Sequence, residues 1–291
     1  MFNKLCIIGV GLIGGSIAKT ARQNNLVKTI IGFGRKQDEL NLIRAKELNV
    51  IDDYYFDIAE AIESADCVII ATPVASFESI FLALKPYWNS QTIYSDVGST
   101  KGNIVEAAKK VFGEIPPNFI PAHPIAGAEK SGVEAAIVDL FLHKRLIITP
   151  LKNTDSNLQQ KLEIFWQQLG AEISIMDVMQ HDTILAATSH LPHLLAFALM
   201  DMLGSENEQN DIFKYAAGGF RDFTRIASSD PTMWLDICLA NQQAILPLLA
   251  QFRHQLTMIE QMIQQQEANN LFKTFEYAQQ TRQRFLQQFN S

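Results

Sequence analysis

Residues 4–14 read Lys4-Leu5-Cys6-Ile7-Ile8-Gly9-Val10-Gly11-Leu12-Ile13-Gly14. An apolar run of strand character, Leu5 to Ile8, passes directly into glycines at 9, 11 and 14, the G-x-G-x-x-G spacing of a dinucleotide-binding turn. Gly9 permits the tight turn, Gly11 lets backbone N–H groups approach a pyrophosphate with no Cβ in the way, and Gly14 lets the following helix pack closely on the strand. Ile13, Ile17, Ala18 and Ala21 then recur at helical spacing. Strand, turn and amphipathic helix together predict a Rossmann-type opening, with Gly9, Gly11, Leu12, Ile13 and Gly14 against the cofactor.

The pattern continues along the chain. Thr29 to Phe33 reads as a second strand, followed by a polar stretch and a helix to about Leu48. Further strands are expected at Cys67 to Ala71, Thr92 to Val97, Asn118 to Ala122 and Leu146 to Thr149, with helices such as Ser76 to Leu84 and Lys101 to Val111 between them. A last pair, helix Asp155 to Leu169 and strand Glu172 to Met176, finishes the sheet. This alternation predicts an α/β domain with a doubly wound, mostly parallel sheet over residues 1–177. From Val178 strand signals stop, and residues 178–291 read as an all-α domain for substrate binding and dimerisation. Helices are expected around Thr183 to Leu203, from Pro231 to about Gln266 with a kink at Pro247, and, shorter, toward Phe289. Asp230-Pro231 has the form of an N-cap followed by proline in the first helical position. Ile245, Leu248, Leu249, Phe252, Leu256, Ile259 and Ile263 form one stripe, which suits a homodimer interface or, alternatively, an intrachain bundle.

At 291 residues, 47% hydrophobic and 19% charged, the chain has the make-up of a globular protein large enough for two domains. Its net charge of -7 argues against nucleic-acid and anionic-membrane partners, while leaving room for a local basic pocket that takes a small anion. Cys6, Cys67 and Cys238 are odd in number, far apart and set in apolar stretches, which predicts reduced thiols rather than a disulfide frame or a metal cluster. The first strand starts too near Met1 to leave room for a targeting peptide, and no apolar run reaches bilayer-spanning length. A cytoplasmic location is expected.

Several segments can carry chemistry. The end of the second strand, where an acid commonly binds the adenosine ribose of NAD, holds Gly34, followed by the cations Arg35 and Lys36. Asp38 stands too far along to replace that acid. Arg35 and Lys36 therefore favour NADP over NAD through charge-assisted bonds to a 2′-phosphate; the alternative is a solvated loop. Thr72-Pro73 and Ser95 to Lys101 stand at the ends of strands, where open α/β sheets bind ligands outside the carboxyl ends. Ser99 is a site residue, a helix N-cap, or both. His123, in Ala122-His123-Pro124-Ile125-Ala126-Gly127, is read as a general base, with a satisfied structural histidine as the alternative. His190 and His193 lie three apart but lack a third ligand at a useful spacing, so no metal is expected and substrate contact or capping is the better reading. Arg225, beside Phe223 and Ile226 in the glycine-rich stretch 216–227, suits carboxylate capture or an ordinary surface ion pair.

Taken together, Gly9 to Ser16, Asp96 to Lys101, His123 to Gly127, Ser189 to His193 and Gly219 to Ala227 closely resemble, in order, the motifs of the prephenate and arogenate dehydrogenases of tyrosine biosynthesis. The resemblance covers nearly the whole chain. It implies an NAD(P)-linked oxidative decarboxylation of prephenate to 4-hydroxyphenylpyruvate, or of arogenate to tyrosine. It also implies that His123 takes the ring hydroxyl proton, that Ser99 orients the histidine and the hydroxyl, and that Arg225 binds a substrate carboxylate. His193 and His190 then shape the substrate pocket, and Glu129, Lys130 and Arg221 gate it. Gly34 departs from the NAD-type pattern. Competing readings are another Rossmann enzyme, such as a 3-hydroxyacid dehydrogenase or imine reductase, and a nonenzymatic nucleotide sensor.

Overall fold

Alternation within β1 (Phe2–Ile8) shows how the first sheet is built. Leu5 and Ile7 point into one apolar layer with Ile17, Phe165 and Trp166, whereas Cys6 and Ile8 point into another with Phe77, Phe81 and Phe119. A strand buried on both faces can only be the centre of a sheet covered on both sides. The computed structural model, which describes residues 1–128, 130–205 and 213–289, bears this out. With β2 (Val27–Phe33), β3 (Asp53–Tyr55), β4 (Cys67–Ile70), β5 (Ile93–Asp96) and β6 (Phe119–Ile120), β1 forms a six-stranded parallel sheet in the order β3-β2-β1-β4-β5-β6. Helices α1 (Leu12–Gln23), α2 (Glu39–Glu47), α3 (Ile58–Ile62), α4 (Phe77–Leu84) and α5 (Gly102–Phe112) connect these strands. The order reverses between β1 and β4, which opens a crevice at their carboxyl ends.

The sequence pattern placed all later strands in this one sheet, and the structure differs. Pro121 has no N–H to give to a ladder, and the chain leaves the parallel sheet there. β7 (Ala122–Pro124), β8 (Arg145–Ile148) and β9 (Glu172–Ile175) form a separate three-stranded sheet. In it β7 pairs antiparallel with β8, and β8 parallel with β9. Helix α6 (Ser156–Gln168) is N-capped by Asp155, whose carboxylate accepts from the N–H groups of Asn157 and Leu158. Cys6, Cys67 and Cys238 are free thiols, and burial pushes Cys6 up to about 12.

Beyond Ile175 the described structure is helical. Helix α7 (Val178–Leu185) runs through a π-helical turn, Ala186–His190, into α8 (Leu191–Gly204). This stretch corrects the expectation about apolar length. Val178–Gly204, 27 residues with a mean hydropathy of up to 1.4 over a window, is long and apolar enough to cross a membrane by length and composition. His181, Asp182, His190 and His193 interrupt its apolar residues, so a scan for unbroken runs misses it; their bonds within the protein are described below. Further on come α9 (Gly218–Thr224), a 3₁₀ turn at Arg225–Ser228, and α10 (Pro231–Ala240), which begins at the Asp230 cap, with Met233 N–H donating to the carboxylate at 2.8 Å.

The helix expected from Pro231 to Gln266 is divided at Asn241. Pro247 lies within the next helix, α11 (Gln242–Gln264), and α12 (Ala268–Phe289) follows as a full 22-residue helix. The chain separates into two compact units, Met1–Gln242 and Gln243–Ser291. In the second unit Leu246, Leu249, Leu256 and Ile263 on α11, and Phe272, Phe275 and Phe285 on α12, are exposed.

Candidate active site

Gly9 has φ +94, and a Cβ there would lie 2.7 Å from the carbonyl oxygen of Ala71. A Cβ on Gly14 would lie 2.3 Å from the carbonyl oxygen of Gly9, so any side chain would push α1 off the turn. At Gly11 nothing lies within 4 Å of the Cβ position, and no side chain caps α1. A helix N-terminus with uncapped N–H groups beside an open glycine is a cradle for an anion. Leu12 and Ile13 form the first turn of that helix.

A cleft of about 660 Å³ lies along this turn, lined by Gly9, Val10, Gly11, Gly34, Arg35, Asp38, Asn41, Thr72, Pro73 and Ser76 among others. The Asn41 amide ties its walls together by donating to the Val10 carbonyl at 2.7 Å and accepting from Val133 N–H at 3.0 Å. Ser76 donates to Thr72 Oγ1 at 2.8 Å and fixes the loop after β4. These residues fit a dinucleotide. Glycines 9, 11 and 14 would hold its pyrophosphate, and the cleft beside Gly34 its adenosine ribose.

Two expectations at the ribose end need correction. Lys36 does not line the cleft: its ammonium pairs with Glu39 at 2.6 Å and lies 4.7 Å from the Phe56 ring centroid. Asp38, judged too distant along the chain, does line it, because the 3₁₀ turn Lys36–Asp38 folds it back toward Gly34.

The candidate reactive centre is assembled beside β5, the neighbour of β4 in the sheet. Asp96 ends β5 fully buried, and its carboxylate accepts from Gly98 N–H at 2.7 Å, from Ala122 N–H at 3.2 Å and from the Lys101 ammonium. Lys101, also fully buried, donates to the Ala122 carbonyl at 2.7 Å. Burial pushes the Asp96 carboxyl up and the Lys101 ammonium down, against their mutual attraction and the donors around the carboxylate. The pair thus locks the backbone on both sides of Ala122, and the next residue is His123.

His123 is 8% exposed, and its Nδ1 lies 2.9 Å from His181 Nε2. His181 Nδ1 in turn lies 2.8 Å from the Asp182 carboxylate. An ionised carboxylate only accepts, so His181 carries its proton on Nδ1 and offers Nε2 as acceptor. His123 must then donate through Nδ1, which leaves its Nε2 as an unprotonated base. Burial, followed by the nearby His181 and Lys101, holds His123 well below the usual histidine range, and burial also lowers His181. Both are neutral near pH 7.

Asp182 does two jobs. Its oxygens also accept from Lys101 N–H at 2.9 Å and Gly102 N–H at 2.8 Å, which caps α5 from another helix. A Cβ on Gly102 would lie 2.8 Å from this carboxylate. Burial opposes the charge on Asp182, yet the donors from His181, Lys101 and Gly102 together hold it below the usual carboxylate range. Ser99 therefore is not the cap of α5, and no hydrogen bond joins it to His123; the orienting contact comes from His181.

His190 is also corrected. It is 1% exposed, and the Asn241 amide, which donates to the Asp182 backbone carbonyl at 2.8 Å, lies 3.1 Å from His190 Nδ1. Burial lowers His190 to about 4. It is an interior residue with little surface for a substrate. His193 stacks on Trp234 with ring centroids 3.8 Å apart and has Nδ1 2.9 Å from the Ser189 carbonyl, so it carries its proton on Nδ1. Burial and the charge of Arg225 both lower it. Arg225 and Arg221 line a second cleft, of about 470 Å³, with Phe197, Met200, Asp201 and Ser228. Glu129 lies outside the described residues, and Lys130 is exposed.

Residues passed over by the sequence reading, namely Lys101 as a buried cation, His181, Asp182, Trp234 and Asn241, make much of this framework. The adjacent His181-Asp182 pair just inside a capped helix was the available signal. Among the described residues no group of three or more His, Cys, Asp or Glu side chains is placed to hold a metal.

The comparisons with known proteins agree with this arrangement. The family model described as prephenate dehydrogenase, nucleotide-binding domain, matches residues 17–175, and the one described as prephenate dehydrogenase, dimerization domain, matches residues 177–277. A cyclohexadienyl dehydrogenase of Zymomonas mobilis is 33% identical over 97% of this chain and 96% of its own length. A prephenate dehydrogenase of Bacillus subtilis is 36% identical over 96% of this chain and 75% of its own. The crystal structure of prephenate dehydrogenase from Aquifex aeolicus, in complex with hydroxyphenyl propionate and NAD+, superposes with a TM-score of 0.89 at 33% identity, covering 98% of this chain and 99% of that one. With the Rossmann sheet, the glycine cradle and a buried neutral histidine in place, these matches make the chain a member of the prephenate dehydrogenase family.

Proposed function

We propose that the chain catalyses the oxidative decarboxylation of prephenate to 4-hydroxyphenylpyruvate, or of arogenate to tyrosine. The observation that carries this reading is the Asp182–His181–His123 chain, which supplies a neutral base one strand away from a dinucleotide cleft. A nicotinamide dinucleotide held there would supply the acceptor for the hydride that leaves the ring carbon bearing the hydroxyl. His123 Nε2 takes the hydroxyl proton in the same event, and the positive charge on its ring is stabilised through His181 by the Asp182 carboxylate. The C–C bond to the ring carboxylate breaks, carbon dioxide leaves, and its electron pair completes the aromatic ring. The proton held by His123 returns to the phenolic oxygen. Arg225 binds a substrate carboxylate, His193, Arg221 and Glu129 contribute to substrate binding, and Ser99 contacts the hydroxyl.

Between the two dinucleotides, the absence of a strand-end acid at Gly34 and the presence of Arg35 at the cleft support use of NADP. Residues 1–177 serve as the cofactor domain and 178–291 as the substrate and dimerisation domain. A homodimer through α11 and α12 is supported by the apolar side chains those helices leave exposed and by the description of the family model over residues 177–277. A cytoplasmic location accords with a small-molecule biosynthetic role. Absorbance of the reduced nicotinamide, followed with prephenate and with arogenate against NAD and NADP, tests the activity. No reduction in any of the four combinations would overturn it, and sedimentation as a monomer at micromolar concentration would overturn the dimer.

A further inference from the structure

The ribose end of the cofactor cleft holds an ion pair. The Arg35 guanidinium lies against Asp38, with Nε 3.1 Å from Oδ2 and Nη2 3.4 Å from Oδ1, and Arg35 N–H also donates to Oδ2 at 3.0 Å. Asp38 N–H closes the turn by donating to the Arg35 carbonyl at 2.8 Å. Both residues line the cleft together with Gly9, Gly11 and Gly34. The place of this carboxylate is the decisive point. A Cβ built on Gly34 would lie 3.4 Å from the Asp38 Cβ and 3.0 Å from Leu42 Cδ1. Asp38 therefore emerges beside the position from which a strand-end acid would reach the ribose, and Leu42 crowds any side chain placed at residue 34 itself.

We propose that Asp38 is the cofactor-selecting residue of this chain, standing in for the missing strand-end acid, and that its pairing with Arg35 lets the cleft take both NAD and NADP. The inference rests on the dinucleotide reading of the cleft. With three of its acceptor sites taken by Arg35, the carboxylate keeps one on Oδ1 for a ribose hydroxyl of NAD, for which Arg35 need not move. A 2′-phosphate is repelled by the same carboxylate and attracted by the guanidinium, so NADP binds by drawing Arg35 away from Asp38. Each cofactor uses one member of the pair. With side-chain exposures of 71% for Arg35 and 39% for Asp38, the exchange needs no unpacking of the core.

The test is calorimetric titration of the whole protein with NAD, NADP, ADP-ribose and 2′-phospho-ADP-ribose, which needs no turnover and no second substrate. Asp38→Asn keeps an oxygen for the Arg35 N–H but removes the charge. It should strengthen binding of the two 2′-phosphorylated ligands by about tenfold and weaken the other two by several-fold to tenfold, the range expected for one charge-assisted bond. Arg35→Ala should weaken only the phosphorylated pair, by about tenfold or more. Asp38→Ser, checked for an unchanged melting temperature, should reproduce the direction of Asp38→Asn. Equal shifts for both pairs of ligands, or no shift in either, would overturn the role of Asp38 while leaving the dehydrogenase reading intact. Failure of the parent protein to bind any of the four would overturn the cofactor reading and this proposal with it.

Discussion

Replacing His181 by Phe tests whether the base is made by its neighbours. Phenylalanine keeps a planar ring of similar bulk but removes Nε2, the acceptor 2.9 Å from His123 Nδ1. The Asp182 carboxylate keeps its bonds from the N–H groups of Lys101 and Gly102, so the cap on α5 and the fold around it should persist. What is lost is the constraint on His123: a buried N–H without an acceptor costs about 1 to 3 kcal/mol, and the ring is free to carry its proton on Nε2, where it cannot act as base. At about 1.4 kcal/mol per factor of ten, kcat should fall roughly five- to 150-fold. Substrate KM and cofactor affinity, which depend on other residues, should stay within about twofold. The pH profile gives an independent readout. Activity requires neutral His123 and is lost as pH falls through its folded pKa; in acid, where His181 is itself protonated, its charge is one of the causes that lower that pKa, so its removal should move the acid limb toward higher pH. His181→Gln, whose amide oxygen can accept from His123, should recover part of the lost turnover. A folded His181→Phe variant with kcat within about twofold of the parent and an unmoved acid limb would refute the reasoning.

Arg225→Ala should raise substrate KM by about tenfold to over a hundredfold, from roughly 1.5 to 3 kcal/mol of lost charge-assisted bonding, with cofactor affinity unchanged and only partial rescue by Lys. Steady-state constants with an unaltered KM would take Arg225 out of the site. Stability should also fall in acid because of His190, whose folded pKa is lowered from 6.5 to about 4. Its contribution is complete above pH 6.5 and shrinks as pH drops toward 4, by about 3 kcal/mol in all. Urea unfolding at pH 7 and 4.5 should show a smaller difference for His190→Gln than for the parent, and equal differences would rule this out.

The first sheet was legible because its determinants are local. A strand such as Leu5 to Ile8 announces burial on both faces by apolar content alone, and Gly9 and Gly14 occupy positions where a Cβ would strike backbone. The second sheet was not, because β7, β8 and β9 carry the same apolar signal and only the missing N–H of Pro121 marks where the ladder is broken. β3 was missed for a related reason: Asp53-Tyr54-Tyr55 is three residues long, and its pairing with Ile31, Gly32 and Phe33 is decided across the sheet. The division at Asn241 also has a tertiary cause. That side chain is engaged by Asp182 and His190, 59 and 51 residues earlier in the chain.

The site was legible in proportion to how far each residue acts through its own segment. Glycines that shape a turn, and a histidine next to a strand end, can be read in place. The side chains that give His123 its chemistry cannot, because His181 lies 58 residues away and Asp182 some 80 residues from the helix it caps. The same distance explains why Ser99 looked like a cap and like an orienting group. Local rules allow a serine both roles, but the helix N-terminus was already taken by Asp182 and the histidine by His181. Linking these tasks in one chain has a mechanistic consequence. The carboxylate that would stabilise a protonated His123 in the proposed reaction is kept ionised by the N-terminus of α5, and α5 follows the buried Asp96–Lys101 pair that fixes the backbone at Ala122. The proposed base is therefore positioned from both sides by charges with little freedom to reorganise, which is the condition under which a neutral, desolvated histidine can accept a proton without first reordering its surroundings.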